Sequence, residues 1–299
     1  MGAFHGPRDW GTLLTAMLTP FDERGDVNLA EAARVARYLV DEMENDGLVV
    51  AGTTGESPTL DPTEKLSLLE TVLESVGDRA AVIFGAGTYN TRESIHMAQE
   101  AARRGAHGIM AVNPYYNKPG QPGLEAHFRA IAEATELPLM LYNIQPRSSI
   151  NLETPTLLRL AEHPQVVAVK EASGNLNQIS EVCARVPAGF RVYSGDDGLT
   201  LPILSLGGFG LVSVAAHVVG RELKQMMRLA PTDLASATRI HQSLREVFRV
   251  LFQWPSPVPV KFALSQRGFD CARVRLPLTP LEPEARSEID RVMAAFAGS

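Results

Sequence analysis

One pattern repeats along most of this chain: a short apolar run rich in β-branched residues, a turn containing Gly, Pro, Asn or Asp, and a longer amphipathic segment. This alternation predicts parallel strands that are joined by helices. Eight strand-like runs occur between residues 12 and 217. They are Leu13–Pro20, Gly47–Thr53, Ala81–Gly85, Gly108–Asn113, Pro138–Asn143, Val166–Glu171, Arg191–Gly195 and Gly210–Ala215.

Two architectures use such units, the open doubly wound sheet and the closed barrel. Eight units within about 215 residues, without a long insertion, favour the α/β (β/α)8 TIM barrel, which typically needs ~200–250 residues. We therefore predict a catalytic barrel domain over residues 1–217 and a C-terminal helical domain over residues 218–299. Four helices are predicted after Val218: Gly220–Leu229, Asp233–Phe252, Val258–Arg267 and Pro283–Ala297.

Helix starts support this division of the chain. After the second strand, Asp61-Pro62-Thr63-Glu64 has the pattern of a capping box, with Pro at the first helical position and Glu at the third. Asn90 and Asn151 are predicted to begin two further helices in a similar way.

Composition excludes several classes of partner. The chain has 28 Lys plus Arg against 34 Asp plus Glu, with no polybasic block, which disfavours nucleic acid and anionic membrane. Its two cysteines, Cys183 and Cys271, form no disulfide framework or zinc motif and suit a reducing cytosol. No cationic leader precedes an apolar stretch, and no apolar run approaches the ~18 residues of a membrane span. We expect a cytoplasmic protein.

The residue with the clearest chemical meaning is Lys170, which ends the apolar run Val166–Val169. Active sites of such barrels lie at the carboxyl ends of the strands. A lysine there is desolvated, which lowers its pKa and makes it a nucleophile toward ketones and aldehydes. The alternative is a structural lysine that reaches solvent or pairs with Glu171.

Other strand ends also carry polar residues, each with an ordinary structural alternative. Backbone N–H groups of Gly52-Thr53-Thr54-Gly55 would form a concave anion site, or the segment is simply a strand-to-helix turn. For Tyr142 and Tyr116, the functional interpretation is a proton donor and the structural one is a packed aromatic ring. For Arg147, the functional interpretation is a bidentate contact to a substrate carboxylate and the structural one is a solvated ion pair. The seven histidines have no metal-ligand spacing, so no metal site is predicted.

Five of these segments together resemble a known family. They are Gly52-Thr53-Thr54-Gly55-Glu56-Ser57, Pro114-Tyr115-Tyr116-Asn117-Lys118-Pro119, Tyr142-Asn143, Val169-Lys170-Glu171-Ala172-Ser173-Gly174-Asn175 and Ser194-Gly195-Asp196-Asp197. Their order and approximate spacing resemble the dihydrodipicolinate synthase and N-acetylneuraminate lyase family. The resemblance covers nearly the whole chain and includes Pro259-Val260-Lys261 and Arg275-Leu276-Pro277-Leu278 near the C-terminus.

The resemblance implies a catalytic set. Lys170 would form an imine with pyruvate, and Tyr142 would be the general acid/base. Thr53 and Tyr116 would complete a proton relay, with Tyr116 reaching into the site of a neighbouring subunit. The family is usually a homotetramer built from tight dimers, and its chemistry requires no metal or organic cofactor.

The resemblance also implies a substrate-binding set. The backbone amides of Thr53 and Thr54 would bind the carboxylate of pyruvate, and Arg147 that of the second substrate. Gly195 and Val212 would complete the substrate-binding residues.

Within the family, Thr53 and Arg147 favour the synthase branch, which condenses pyruvate with L-aspartate 4-semialdehyde in diaminopimelate and lysine biosynthesis. The sialic-acid lyases of the family are expected to have Ser where this chain has Thr53 and no arginine where it has Arg147. A pyruvate-dependent aldolase for a sugar acid is the alternative of the same class. A catalytically inactive barrel that binds a ligand is the alternative of another class, and the retained site residues argue against it.

One position departs from the family pattern, and three others depart from the pattern of its lysine-inhibited branch. Pro146 precedes Arg147 directly, which is expected to push Gln145 toward an extended conformation and to change the aim of the guanidinium. Pro62 and Lys65 stand where the lysine-inhibited branch looks to have histidines, and Tyr89 where it has Asn. Because a second ammonium repels bound lysine, we expect no feedback inhibition by lysine.

Overall fold

The computed structural model describes residues 9–297, so residues 1–8 and 298–299 of the two predicted domains lie outside the described part. Within that part, eight parallel strands form a closed barrel in sequence order. The strands are β1 Leu13–Ala16, β2 Gly47–Val50, β3 Ala81–Gly85, β4 Gly108–Val112, β5 Leu139–Asn143, β6 Val166–Glu171, β7 Arg191–Ser194 and β8 Gly210–Ser213. The predicted TIM barrel is confirmed, and several predicted strands extend a few residues too far.

Closure is made by β8, which pairs with β1 through Leu13 opposite Leu211 and Thr15 opposite Ser213. Every other strand pairs in parallel with the next one along the chain. Closure leaves no free sheet edge, and it brings the carboxyl ends of all eight strands to one rim.

Twelve helices are described within residues 9–297. They are α1 Leu29–Asp41, α2 Pro62–Val76, α3 Thr91–Arg103, α4 Gln121–Glu133, α5 Gln145–Ser148, α6 Thr154–Ala161, α7 Leu176–Arg185, α8 Thr200–Ser205, α9 Ala216–Leu229, α10 Leu234–Phe252, α11 Val258–Ser265 and α12 Pro283–Ala297. None of the described helices is long and apolar enough to cross a membrane.

Two of the predicted helix starts are confirmed. Asp61 caps α2 and forms a reciprocal capping box with Glu64. Asn90 caps α3 by accepting hydrogen bonds from two backbone N–H groups. The predicted start at Asn151 is wrong: α6 begins at Thr154, and the Asn151 amide is instead bonded to Asn143 and Gln178.

The start of α9 also differs from the sequence expectation. The helix begins at Ala216 rather than Gly220, and its backbone leaves helical geometry at Val219. At Gly220, a Cβ would lie 2.3 Å from the carbonyl oxygen of Met43. The glycine therefore marks a close contact that follows a kink in the helix, not its first turn.

Three apolar clusters hold the described residues together. One fills the barrel interior, a second lies between the barrel and its surrounding helices, and a third joins α9–α12 to β1 and β8 through Leu13 and Leu211. The C-terminal helices therefore share a core with the barrel. The domain boundary between residues 217 and 218 lies inside α9, and the division into two domains stays a prediction.

A buried ion pair joins the barrel to α11. Lys261 Nζ donates to Glu56 Oε1 at 2.6 Å and to the carbonyl oxygen of Thr19 at 2.9 Å, and both side chains are almost fully buried. Burial lowers the pKa of Lys261, and the adjacent carboxylate opposes that shift.

This pair makes a stability prediction. Lys261→Met leaves the Glu56 carboxylate buried without its cation, so the free energy of unfolding should fall by about 3–5 kcal/mol. The double variant Glu56→Gln/Lys261→Met removes both charges and should recover most of that loss. Chemical denaturation of the three proteins measures both effects. A double variant no more stable than Lys261→Met would contradict the prediction.

Candidate active site

The main cavity at the carboxyl rim of the barrel has a volume of about 500 Å³. Six of the eight predicted site residues line it: Thr53, Thr54, Tyr142, Arg147, Lys170 and Gly195. A smaller cavity of about 50 Å³ adjoins it and shares Thr53 and Tyr142. The barrel therefore brings together side chains that lie more than a hundred residues apart in the sequence.

Lys170 is the central residue of this cavity. It lies on β6, two residues after the inward-facing Ala168, so strand alternation turns it into the barrel. The side chain is only 4% exposed, and its Nζ lies 4.2 Å from the centre of the Tyr142 ring. Tyr142 is directly opposite Lys170 in the pairing of β5 with β6. The alternative in which Lys170 reaches solvent is wrong.

Glu171 faces away from Lys170. Its carboxylate is fully buried and accepts hydrogen bonds from the Ser173 N–H at 2.8 Å and from the Asn143 amide at 3.2 Å. Burial is the main reason that the pKa of Glu171 is raised. Pairing with Lys170 is therefore ruled out, and no carboxylate in the described chain forms an ion pair with the Lys170 ammonium.

Gly195 packs against the aliphatic stem of Lys170. A Cβ at this position would lie 2.9 Å from both Cγ and Cε of the lysine. The Gly195 N–H donates to the Glu171 carbonyl at 2.7 Å, which fixes β7 beside β6. Any side chain at residue 195 would displace the lysine, so a glycine is required at this close approach.

The turn Gly52-Thr53-Thr54-Gly55 follows β2 and is held by a backbone hydrogen bond from Glu56 and a side-chain hydrogen bond from Thr19. The Glu56 N–H donates to the Thr53 carbonyl at 3.1 Å, and the Thr19 hydroxyl donates to the Gly55 carbonyl at 2.7 Å. Among residues 9–297, the N–H groups of Thr53 and Thr54 donate no hydrogen bond. Two neighbouring free donors at the cavity wall suit a carboxylate.

Arg147 lies in the short helix α5 and lines the same cavity. The expectation that Gln145 is extended is wrong, because Gln145 is the first residue of this helix. Pro146 is tolerated there since the first helical turn needs no N–H from it. Within the described chain the Arg147 guanidinium has no carboxylate partner, which leaves it available to an anionic ligand.

Two predicted site residues do not line the cavity of their own chain. Tyr116 is 89% exposed and has a left-handed backbone with φ of 67°. Val212 is buried inside the barrel, and Val214, two residues closer to the carboxyl end, lines the cavity. The predicted roles of Tyr116 and Val212 stay predictions.

Asp197 holds the segment that carries Val214. Its fully buried carboxylate accepts hydrogen bonds from the Ser213 hydroxyl and from the N–H groups of Val214 and Ala215. Burial raises the pKa of Asp197 to about 6. The second acid of the Ser194-Gly195-Asp196-Asp197 motif is thus a structural anchor for the end of β8.

The sequence prediction missed the contribution of α10. His241, Arg245 and Phe248 of this helix line the outer part of the cavity. Their spacing of three and four residues indicates one helix face, but nothing in the sequence places that face over the barrel rim. Arg245 has no ion pair within residues 9–297, whereas Arg249 is paired with Glu246 and Glu288.

The cavity therefore combines a buried lysine without an acidic partner, a tyrosine against it, two free backbone donors and two arginines, Arg147 and Arg245, without an ion pair in the described chain. Positive side chains outnumber the one acid on its wall, Asp196, which suits small anionic ligands. No group of three or more His, Cys, Asp or Glu in the described part is arranged to hold a metal ion.

Comparisons with known proteins identify the family of the chain. Residues 9–296 match the model of the dihydrodipicolinate synthetase family. The 4-hydroxy-tetrahydrodipicolinate synthase of Moorella thermoacetica is 50% identical over 281 residues, covering 94% of this chain and 96% of that protein.

Solved structures of similar proteins belong to the same family. A dihydrodipicolinate synthase from Bacillus anthracis superposes with a TM-score of 0.93 at 44% identity, covering 96% of this chain and 98% of its own. A synthase from Cyanidioschyzon merolae with lysine bound superposes with a TM-score of 0.93 at 43% identity and the same coverage. The chain therefore belongs to the dihydrodipicolinate synthetase family.

Proposed function

We propose that this chain is a 4-hydroxy-tetrahydrodipicolinate synthase, which condenses pyruvate with L-aspartate 4-semialdehyde on the route to diaminopimelate and lysine. Relatives named 4-hydroxy-tetrahydrodipicolinate synthase are 46–50% identical over nearly the whole chain. The observation that carries the proposal is the buried Lys170 amine, which has no acidic partner in the described chain and lies against Tyr142.

The reaction begins at Lys170 Nζ, which attacks the ketone carbon of pyruvate and, with loss of water, forms an imine. Loss of a proton from the methyl group gives an enamine, whose carbon adds to the aldehyde of the second substrate. The amine of the product then attacks the imine carbon, releases Lys170 and closes the ring. Tyr142 is the proposed general acid/base, with Thr53 beside it on the cavity wall.

Substrate binding uses the free donors of the cavity. The Thr53 and Thr54 amides hold the pyruvate carboxylate, and Arg147 holds the carboxylate of the semialdehyde. Gly195 lines the pocket around the imine, and Val212 supports it from the barrel interior. The reaction needs no metal or organic cofactor, since the lysine imine is itself the electron sink.

Assembly completes the proposed site. The exposed Tyr116 reaches the cavity of a neighbouring subunit, so the working enzyme is at least a dimer, and we propose a tetramer of two tight dimers. We place the enzyme in the cytoplasm, a compartment that suits its two free cysteines.

Reductive trapping tests the imine. With pyruvate and borohydride, Lys170 should gain the reduced pyruvyl group, and Lys170→Ala should lose all trapping because it lacks the amine. Lys65→Ala is the matched control, since it removes another buried lysine that does not line the cavity. Peptide mapping by mass spectrometry locates the adduct. An unmodified Lys170 in folded protein would overturn both the synthase and the aldolase.

Subunit mixing tests the role of Tyr116. Tyr116→Phe and Lys170→Ala homo-oligomers should each be inactive, and hybrids should regain part of the activity because one site then has both residues intact. Activity after mixing, together with native mass spectrometry to prove subunit exchange, measures this. Mixing each variant with itself is the control. Exchange without recovery would rule out action across the interface.

Lysine inhibition is expected to be absent. Lys65 is 7% exposed, so the alternative in which it points into solvent is wrong. Burial lowers its pKa, with the Glu93 carboxylate opposing the shift. A second ammonium within a few ångströms of bound lysine costs about 1–4 kcal/mol at effective dielectric constants of about 80 to 20.

Initial rates measured against L-lysine test this expectation, with Lys65→His as the variant that should gain affinity. Half-inhibition of the unmodified enzyme below about 1 mM, equivalent to binding of roughly −4 kcal/mol or tighter, would contradict it.

A further inference from the structure

We propose that Glu56 and Lys261 are positioning residues, whose ion pair holds the Thr53–Thr54 turn in the geometry that binds a carboxylate. The inference rests on the proposed function, because it takes pyruvate as the ligand of that turn. It gives a role in the reaction to two segments outside the cavity, Glu56 after the turn and Pro259-Val260-Lys261 in α11.

Lys261 holds the turn from two sides. Its Nζ donates directly to Glu56 Oε1 at 2.6 Å, at the end of the turn. It also donates to the carbonyl oxygen of Thr19 at 2.9 Å, and the Thr19 hydroxyl in turn donates to the Gly55 carbonyl at 2.7 Å. The Phe21 ring, 4.3 Å from Nζ, covers the ammonium. One buried cation therefore fixes two consecutive residues, 55 and 56.

Glu56 needs such support because of its backbone. Its φ is 55°, a left-handed conformation that is costly for a residue with a side chain. In that conformation its N–H reaches the Thr53 carbonyl at 3.1 Å and closes the turn. Closing the turn directs the neighbouring amides, and these are the free donors at the cavity wall.

A second contact extends the link to the last part of the chain. Glu56 Oε2 accepts a hydrogen bond from the backbone N–H of Arg275 at 3.1 Å. The Arg275 guanidinium donates to the Thr59 carbonyl at 2.7 Å and pairs with Glu64 in the first turn of α2. Glu56, at the end of the turn, is thus bonded through its two carboxylate oxygens to Lys261 and Arg275, which both follow the barrel in the sequence.

Stability alone does not account for a buried ion pair at this place. Well-packed apolar residues of similar volume stabilise a core equally well or better. The ion pair instead fixes the orientation of the turn, since the carboxylate and the ammonium each form several hydrogen bonds with defined geometry. Glu56 follows Thr53 by three residues, so a small change in the orientation of Glu56 alters the direction of the Thr53 and Thr54 N–H groups.

The experiment compares Glu56→Gln/Lys261→Met with a matched control, Lys224→Met. Lys224 of α9 pairs with Asp46 just before β2, so this pair also joins the barrel to a later helix, but at the opposite end of the barrel. Asp46 keeps hydrogen bonds from the N–H groups of Thr12 and Leu13 in the control.

Trapping at Lys170 with cyanoborohydride is measured as a function of concentration for two ketones. Pyruvate has the carboxylate, and hydroxyacetone lacks it. In the double variant the half-saturating concentration of pyruvate should rise roughly tenfold, as expected when a charge-directed hydrogen bond is lost. The hydroxyacetone curve should be unchanged, and the control should match the unmodified protein for both ketones.

The outcomes separate the two proposals. If the unmodified protein is not trapped by pyruvate, the proposed function fails. If it is trapped and the double variant, with unchanged oligomeric state, has the same pyruvate curve, the positioning role is wrong. Equal weakening for both ketones also overturns it, because general damage would not single out the carboxylate. Glu56→Gln alone, which keeps a hydrogen-bond acceptor, replaces the double variant if the latter does not fold.

Discussion

Hydrogen bonds between β8 and β1 are the contacts on which the rest of the molecule depends. They close the sheet, so the carboxyl ends of all strands meet at one rim and the side chains alternate between the barrel interior and the surrounding helices. This alternation sends Lys170 and Tyr142 inward together while their neighbours Glu171 and Asn143 bond to each other outside. The site is a consequence of closure.

Two buried lysines illustrate how surroundings decide chemistry. Lys261 is satisfied by Glu56 and a carbonyl oxygen, which holds it as a fixed cation. Lys170 lies against an aromatic ring and has no acidic partner in the described chain. The same side chain is structural in the first place and a candidate nucleophile in the second, because only the second faces open space where a ketone can approach.

Local sequence rules succeeded where a short segment decides the outcome. The strand positions, the capping box at Asp61 and the inward direction of Lys170 are predicted from patterns within a few residues. These local rules failed where groups from distant parts of the chain compete for the same hydrogen-bonding atoms. Asn151 has the right chemistry for a helix cap, but Asn143 and Gln178 take its amide. The expectation for Gln145 failed for a different, local reason: the Ser148 N–H donates to the Ile144 carbonyl and the Ser149 N–H to the Gln145 carbonyl, which forms a helical turn despite the following proline.

The sequence by itself determined the repeating strand-helix unit and the residue types that meet at the rim, because hydrophobic periodicity and turn chemistry are local. Only the tertiary structure decided that α10 covers the cavity, that Glu171 turns away from Lys170, and that Lys261 pairs with Glu56 about two hundred residues earlier. Those outcomes depend on how the closed barrel packs against the later helices. Contacts over such separations leave no periodic signal in the chain.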